Sequence, residues 1–467
     1  MNRARPGSRA AGAASRRVDR PRAAALAVLT AVRAEDAYAN LVLPGILAQY
    51  RLTGRDAAFT TELVSGTIRR RGTYDAILAT CIDRGLRKVE AGVLDVLRLG
   101  CHQLLSMRVP AHAAISTSVD LVRSTTGPGA AGFANAVLRS VARQDLEAWI
   151  AQLTPDTLPD DERAAIAHSH PVWVVDQLRA AAPEDDLDAV LAANNVPPRV
   201  TLVARPGLAT RDELPGTPTR YSPYGVVAEP GDPSDVPAVA ERRAGVQDEG
   251  SQLVAHALAS APLEGPDRLW LDLCAGPGGK AALLAALAAQ RGARLVAVEQ
   301  HLHRARLVER ALSGLAASGT ASAHPPVVLN ADGTAAPLRP AGFDRILLDA
   351  PCSGLGALRR RPEARWRRSA DDLVGLVMLQ RRLLRSALDL VRPGGVVLYA
   401  TCSPVRIETG EVISSVVRGV ADVSVEDVRG LLPGVEDADG PVAGTAQLWP
   451  HRHGTDAMFL ALLRKQG

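Results

Sequence analysis

Short apolar runs alternate with longer amphipathic segments between residue 246 and the C-terminus. The runs have the length of buried strands, and the segments between them have the length of helices. Strands that alternate with helices are typical of a doubly wound, mainly parallel sheet. The pattern therefore predicts an α/β domain over residues 246–467, with strands at 269–273, 295–298, 326–329, 345–348 and 396–400 and a strand candidate at 458–463, beside the segment 447–453.

Apolar residues recur at helical spacing in the N-terminal part of the chain, from Pro21 to about Ala142. Glycine and proline stand between the periodic segments, as expected at helix ends. The pattern predicts an all-helical domain over residues 19–145. The stretch from Leu94 to Met107 is apolar nearly all round, which favours a central buried helix.

Two further segments differ in composition from these domains. Residues 146–245 predict a connector that is helical and acidic at first and then forms a small α+β unit, with strands at 199–203 and 225–228. Residues 1–18 cannot bury enough apolar surface to fold, so we expect a disordered basic tail there. The arginines of this tail leave open an accessory electrostatic contact with nucleic acid.

Composition excludes several classes of protein. No apolar run approaches the ~18 residues of a membrane-spanning helix. The N-terminal arginines lack the apolar core of a secretory signal, so we expect a cytoplasmic protein. The five cysteines lie far apart, with no CxxC or clustered Cys/His spacing, so we expect no metal site and no disulfide framework. If any of these cysteines has a functional role, we expect it to be that of a reactive thiol.

A glycine-rich loop follows the first predicted strand of the α/β domain, and its sequence is Cys274-Ala275-Gly276-Pro277-Gly278-Gly279-Lys280. Its glycines let backbone N–H groups approach a ligand, and the helix that follows presents its N-terminus to a negative group such as a carboxylate. Glu299, at the end of the next strand, can accept both ribose hydroxyls of an adenosine ligand. Taken alone, these features leave open a dehydrogenase or a purely structural turn.

Two cysteine motifs follow neighbouring strands of the same predicted sheet. Asp349-Ala350-Pro351-Cys352-Ser353-Gly354 follows the fourth strand, and Thr401-Cys402-Ser403-Pro404 follows the fifth. Ligands bind at the carboxyl edge of an open α/β sheet, so two thiols and a carboxylate should converge on the cofactor crevice. The alternative is that both cysteines fill gaps in the core.

These three segments resemble the motifs of S-adenosylmethionine-dependent RNA (cytosine-5) methyltransferases. Residues 247–252 resemble the segment that opens the same catalytic domain. The helical N-terminal domain resembles the antitermination factor NusB, and this pairing is similar to the bacterial Sun/Fmu family of 16S ribosomal RNA methyltransferases. The resemblance implies a class I, Rossmann-like methyltransferase domain, S-adenosylmethionine as cofactor and 16S rRNA, naked or in an early assembly intermediate, as partner. We expect the protein to be a monomer.

The resemblance also implies roles for single residues. Cytosine C5 is too poor a nucleophile to take a methyl group directly, so a thiolate must first add to C6. Cys402 matches the family's nucleophile, Cys352 matches the cysteine that assists release, and Asp349 would contact the amino group and N3 of the base. Asp332 matches the position that reads the adenine amino group, while Asp349 touches the cofactor as well and Lys280 meets the methionine carboxylate or the RNA.

An arginine cluster follows the Cys352 loop, and we expect it to contact RNA phosphates rather than to form a solvated face. It consists of Arg359, Arg360, Arg361, Arg365, Arg367 and Arg368. Three other functions stay open at this point. The same chemistry could act on transfer RNA, a DNA methyltransferase would place its nucleophile at Cys352, and a non-catalytic NusB-like protein would only bind RNA.

Overall fold

The computed structural model describes residues 19–35, 37–317 and 324–467. The chain divides into two compact units, of which the first ends at Ser169 and the second extends from His170 to Gly467. The predicted basic tail, residues 1–18, lies outside the described residues. Within the described parts, no helix is long and apolar enough to cross a membrane.

The first unit is helical, as the sequence predicts. Helix α5 lies at its centre, because Val96 and Leu97 are fully buried and the helix packs against α1, α3, α6 and α7. The helices of this unit are α1 (Arg20–Ala34), α2 (Ala39–Gln49), α3 (Gly54–Arg69), α4 (Arg71–Cys81), α5 (Ala91–Leu105), α6 (Ala111–Thr125), α7 (Pro128–Val141), α8 (Leu146–Leu153) and α9 (Asp160–His168).

Helices α8 and α9 belong to this first unit, although the sequence assigns residues 146–168 to the connector. The indole N–H of Trp149 donates to the backbone oxygen of Val141 at 2.9 Å, and the Trp149 ring is buried. The hydroxyl of Thr73 donates to the backbone oxygen of Ile166 at 2.6 Å. These contacts tie α8 to α7 and α9 to α4, so the predicted connector is divided between the two units.

The second unit begins with two helices and a small antiparallel sheet. Leu202 and Val226 of this sheet form a small core with Leu214 and Ala238. The strand order is β2-β3-β1-β4. The elements are α10 (Val172–Ala181), α11 (Leu187–Ala193), β1 (Thr201–Ala204), β2 (Gly216–Pro218), β3 (Gly225–Ala228), α12 (Pro237–Ala240) and β4 (Ala244–Val246).

A larger sheet forms the rest of the second unit, with strand order β10-β12-β9-β8-β5-β6-β7 and the short β11 paired with β12. Its strands are β5 (Leu269–Asp272), β6 (Arg294–Val298), β7 (Val327–Leu329), β8 (Phe343–Asp349), β9 (Val391–Thr401), β10 (Val423–Glu426), β11 (Ala446–Gln447) and β12 (Phe459–Lys465). Its helices are α13 (Glu249–Ser260), α14 (Gly279–Gln290), α15 (Leu302–Ala317), α16 (Ala364–Arg367), α17 (Asp372–Leu390), α18 (Gly410–Val417) and α19 (Pro450–His453).

The strand pairing explains where a ligand can bind. Strands β5 to β9 pair in parallel with one another, whereas β12 pairs antiparallel with β9 and β10. From β5 the chain first builds β6 and β7 on one side and then β8 and β9 on the other, which makes β5 the switch point of the sheet. The predicted motifs follow β5, β6, β8 and β9, so they all lie at one carboxyl edge. The predicted α/β fold is confirmed.

Candidate active site

The thiols of Cys352 and Cys402 are in direct contact, with their Sγ atoms 3.4 Å apart. In the parallel pair β8 and β9, Asp349 lies opposite Ala400, so the loops that carry the two cysteines leave the sheet side by side. Both cysteine side chains are partly exposed. The fold thus brings together two thiols that are 50 positions apart in the sequence.

The two thiols differ in their electrostatic surroundings. The pKa of Cys402 is lowered, chiefly by its hydrogen bond with Cys352. The positive charges of Lys280 and Arg361 also lower it, whereas burial and the charge of Asp349 oppose this shift. The pKa of Cys352 is raised by that same hydrogen bond, by burial and by the negative charge of Glu408. Because the thiolate is the nucleophilic form, these shifts favour reaction at Cys402 over reaction at Cys352.

A salt bridge joins the glycine-rich loop to the first cysteine motif. The Nζ atom of Lys280 lies 2.9 Å from Oδ2 of Asp349. Burial lowers the pKa of Lys280, but the charge of Asp349 and the hydrogen bond to it more than compensate, and the pKa is raised. In this structure Lys280 therefore pairs with Asp349 and places its charge close to Cys402.

Glu299 lies against the glycine-rich loop, and its side chain is almost fully buried. One carboxylate oxygen accepts the N–H of Gly276 at 3.1 Å, and the other accepts the N–H of His301 at 2.9 Å. Arg304 donates to the backbone oxygen of Gly276 at 2.6 Å and lies 3.5 Å from the Glu299 carboxylate. Each carboxylate oxygen can accept a second hydrogen bond, so Glu299 can still bind hydroxyl groups while it holds the loop.

Two glycines of the loop stand in crowded surroundings. A Cβ atom at Gly276 would lie 2.1 Å from Oε2 of Glu299, and one at Gly278 would lie 2.7 Å from Cβ of Ala311. Gly278 also has a φ of +113°, which favours glycine, and it caps helix α14. The loop therefore presents a bare backbone at the N-terminus of a helix, where a carboxylate group is favoured.

Asp332 lies on the exposed loop after β7. Its Oδ1 atom accepts hydrogen bonds from the backbone N–H and the hydroxyl of Thr334, at 2.8 and 2.9 Å. The backbone hydrogen bond from Thr334 is the main cause of its lowered pKa. These contacts fix the carboxylate near the edge of the sheet, and its role in reading an adenine stays a prediction.

Asp272 is a site residue that the sequence analysis did not identify. It ends β5, its side chain is almost fully buried, and neither carboxylate oxygen makes a well-formed hydrogen bond within the described chain. Burial and the charge of Asp349 raise its pKa to about 8. A carboxylate that closes an apolar strand directly before a glycine-rich loop is the signal that could have identified it.

The arginine cluster is divided between the interior and the surface. Arg359 is buried and pairs with Asp248 and Asp456, each at 2.7 Å. Arg365 is fully buried and donates to the side-chain oxygen of Asn195 at 2.9 Å.

Arg360 is also engaged with Asp248 and Asp456, whereas Arg361 and Arg368 are exposed and Arg367 is half-buried. The prediction of phosphate contacts is therefore corrected for Arg359, Arg360 and Arg365, because the first two pair with the Asp248 and Asp456 carboxylates and the third is fully buried. It is retained for Arg361, Arg367 and Arg368.

The arrangement at the sheet edge fits the predicted cofactor. The bare backbone of the loop suits the carboxylate of a methionine group, Glu299 suits ribose hydroxyls, and the buried Asp272 lacks a partner that a ligand ammonium could supply. Among the described residues, no three His, Cys, Asp or Glu side chains are placed to hold a metal ion.

Comparison with known proteins identifies both parts of the chain. Residues 258–464 match the family model for the 16S rRNA methyltransferase RsmB/F, and residues 19–143 match the NusB family. The Mycobacterium tuberculosis protein Rv1407 is 50% identical over 98% of this chain and 99% of its own length. Ribosomal RNA small subunit methyltransferase B of Pseudomonas syringae is 33% identical over 95% of this chain and 97% of its own length.

The crystal structure of PH0851 has the same fold, with a TM-score of 0.78 and 21% identity, and the match covers 96% of this chain and 99% of that one. The relatives match over nearly the full length of the chain, and a methyltransferase of this kind takes its methyl group from S-adenosylmethionine. The chain therefore belongs to the 16S rRNA methyltransferase RsmB/F family, with a NusB-family helical domain before its catalytic domain.

Proposed function

We propose that this rRNA methyltransferase transfers the methyl group to C5 of a cytosine in 16S rRNA, through a temporary bond between Cys402 and C6 of the base. The observation that carries the proposal is the 3.4 Å contact between the thiols of Cys402 and Cys352, beside the Lys280 and Asp349 salt bridge. Methylation of an amino group or of a ribose hydroxyl would not require a pair of thiols at the carboxyl edge of the sheet.

The chemistry of the cytosine ring requires a strong nucleophile. When the sulfur of Cys402 bonds to C6, the electrons of the C5–C6 double bond move into the ring and make C5 an enamine-like nucleophile. After methylation the proton at C5 leaves to a base, the double bond reforms, and the electrons of the C6–S bond return to sulfur. Cys352 would assist this release, and its position within hydrogen-bond distance of Cys402 supports that role.

Asp349 is the group suited to hold the base. Its carboxylate can accept from the cytosine amino group and, when protonated, can donate to N3 as negative charge develops there. The salt bridge of 2.9 Å to Lys280 fixes the direction of this side chain. The same lysine lowers the pKa of Cys402, so one cation serves both the nucleophile and the residue that orients the base.

S-Adenosylmethionine, when bound, supplies an electrophilic methyl group. The backbone N–H groups of the loop from Cys274 to Lys280 would hold its carboxylate, Glu299 its ribose and Asp332 its adenine amino group. Arg361 and Arg368 are exposed beyond the Cys352 loop and would contact phosphates of the RNA. The target base must leave its stack to reach thiols at this edge, so the RNA site is a flipped or unpaired nucleotide.

The test is to incubate the protein with S-adenosylmethionine and unmodified 16S rRNA, and then to identify the methylated nucleoside by mass spectrometry. We expect 5-methylcytidine, and the Cys402→Ala variant should form none. Transfer RNA is tested in parallel, because methylation of transfer RNA alone would favour that substrate. Methylation of a ribose or of an exocyclic amine would refute the proposed C5 chemistry. Bisulfite sequencing of rRNA from cells with and without the gene then locates the cytosine.

A further inference from the structure

Glu408 is a fully buried glutamate six positions after Cys402, at the end of a short helical turn, and the sequence analysis gave it no role. Its Oε1 atom accepts the backbone N–H of Ser353 at 2.7 Å and the side-chain N–H of Gln380 at 3.1 Å. Its Oε2 atom accepts the hydroxyls of Ser353 and Ser403, at 2.5 and 2.6 Å. One carboxylate thus receives four hydrogen bonds.

The two serines are the neighbours of the two thiols. Ser353 directly follows Cys352, and Ser403 directly follows Cys402. The hydrogen bonds to Glu408 therefore connect the two loops that carry the thiols, and they do so through the residues next to each sulfur atom. The serine hydroxyls are themselves only 3.1 Å apart.

We propose that Glu408 is a positioning residue that keeps the Cys352 and Cys402 thiols in hydrogen-bond contact by holding their two loops together through Ser353 and Ser403. This inference rests on the proposed function, in which Cys402 is the nucleophile and Cys352 assists release.

Glu408 is itself well anchored. The hydroxyl of Tyr399, which is fully buried in strand β9, donates to the backbone oxygen of Glu408 at 2.8 Å. Gln380, on helix α17, donates both to Glu408 and to the backbone oxygen of Pro351 at 2.9 Å, next to Cys352. The carboxylate is therefore held from β9 and α17, so that its position can determine the position of the loops.

The cost of burial argues for such a role. A buried carboxylate is unfavourable unless it is hydrogen-bonded, and the four donors here compensate for the lost hydration. A neutral residue would fill the same space without that cost. A charged side chain in this buried position is explained if its charge acts on the neighbouring thiols.

The charge acts unequally on the two thiols. The negative charge of Glu408 contributes to the raised pKa of Cys352, after the hydrogen bond to Cys402 and burial. A protonated Cys352 can donate to Cys402, and this hydrogen bond is the main cause of the lowered pKa of Cys402. Lys280 and Arg361 lie near Cys402 and lower its pKa, whereas Asp349 raises it. Glu408 thereby helps to decide which sulfur atom is the thiolate.

The experiment measures the reactivity of each thiol in the full-length protein without RNA. Wild type and Glu408→Gln are treated with iodoacetamide from pH 6 to pH 9, and modification of each cysteine is followed by peptide mass spectrometry. In wild type we expect Cys402 to react faster than Cys352. In Glu408→Gln the ratio of the two rates at neutral pH should fall by about tenfold, the effect of a relative pKa change of one unit.

Glu411→Gln is the matched control, since Glu411 is an exposed glutamate three positions away, and the ratio should not change in this variant. Ser403→Ala is the second variant, and it removes one hydrogen bond to the carboxylate without removing its charge. Ser403→Ala should also lower the ratio of the Cys402 rate to the Cys352 rate, but by a smaller factor. This variant serves as the test if Glu408→Gln does not fold.

The inference is overturned if the ratio stays the same in the folded variants, or if both thiols become more reactive in parallel, as simple loosening of the loops would cause. No RNA enters this measurement. A failure of Glu408 to act on the thiols is therefore distinguishable from a failure of the proposed C5 chemistry, which is judged by the nucleoside product.

Discussion

Lys280 and Asp349 form a salt bridge between the glycine-rich loop and the first cysteine motif, with 2.9 Å between Nζ and Oδ2. Lys280 is the second residue of helix α14, and Asp349 is the last residue of β8. The residues that would bind the methyl donor and those that would bind the base thus share one pair of charges, and the positive partner also lowers the pKa of Cys402.

Replacement of Lys280 by Met should affect both stability and thiol reactivity. The Asp349 carboxylate would then lose its ion-pair partner, and the negative charge next to the buried Asp272 would no longer be compensated. We expect the free energy of unfolding to fall by about 1 to 3 kcal/mol, less than for a fully buried pair because both side chains are partly exposed. Alkylation of Cys402 should also slow. Urea titration measures the first effect, with Lys88→Met as the exposed control.

Variants of the two cysteines should be blocked at different steps of the reaction. Cys402→Ala cannot attack C6, so it should form neither adduct nor product. Cys352→Ala still has the nucleophile and should transfer the methyl group but release the base slowly, so that a protein–RNA adduct accumulates. Denaturing electrophoresis with labelled RNA detects this adduct. An adduct with Cys402→Ala and none with Cys352→Ala would reverse the two roles.

Glu299 should contribute directly to the binding of S-adenosylmethionine. Its carboxylate holds the loop through the N–H of Gly276 and keeps lone pairs for the ribose hydroxyls. In the absence of RNA, we expect Glu299→Ala to weaken binding by about 1 to 3 kcal/mol, measured by isothermal calorimetry. Unchanged affinity in a folded variant would remove Glu299 from the cofactor site.

The arginine cluster should separate into two classes of variant. Arg361→Ala and Arg368→Ala should weaken RNA binding and reduce its salt dependence, by up to ~0.7 to 0.9 in logarithmic slope for each lost phosphate contact. Arg365→Ala should instead lower the free energy of unfolding by at least about 2 kcal/mol, because a buried hydrogen-bonded side chain is lost. An unchanged salt slope for the first two variants would show that the exposed arginines only form a solvated surface.

The stability of the cofactor-free protein should depend on the ionisation of Asp272. Its pKa is about 8 in the folded chain, whereas an unfolded aspartate titrates near ~3.9. Between these values the folded state binds the extra proton, so this residue makes stability fall as pH rises, by at most about 1.4 kcal/mol per pH unit.

Asp272→Asn should remove this part of the pH dependence. The free energy of unfolding of the variant should exceed that of wild type by the largest amount near pH 8. Urea titrations at pH 5 and pH 8 measure the difference, with the exposed Asp212→Asn as the control. An equal pH dependence in wild type and Asp272→Asn would contradict the raised pKa.

Local sequence patterns were sufficient for the fold and for most of the site. Apolar runs of strand length between helices predict a doubly wound, mainly parallel sheet, and the carboxyl ends of parallel strands share one edge for reasons of geometry. The positions of Gly276, Glu299, Cys352 and Cys402 at that edge could therefore be predicted. Strand β10 was not predicted, because only Val423 of its four residues is buried and the strand forms a weak pattern.

Tertiary contacts decided what local patterns cannot express. The sequence predicts that the arginine cluster forms one basic surface, but burial and ion pairs divide it. Asp248 and Asp456, which pair with Arg359, come from segments about 100 positions away in the chain. The same is true of Glu408, whose four donors come from three segments, and of Asp272, whose raised pKa depends on burial and on Asp349. The sequence by itself determined the type of fold and the edge where the chemistry lies. Only the tertiary structure decided which charges are paired and in which direction the pKa of each thiol is shifted, because these properties depend on distances between segments that are remote in the chain.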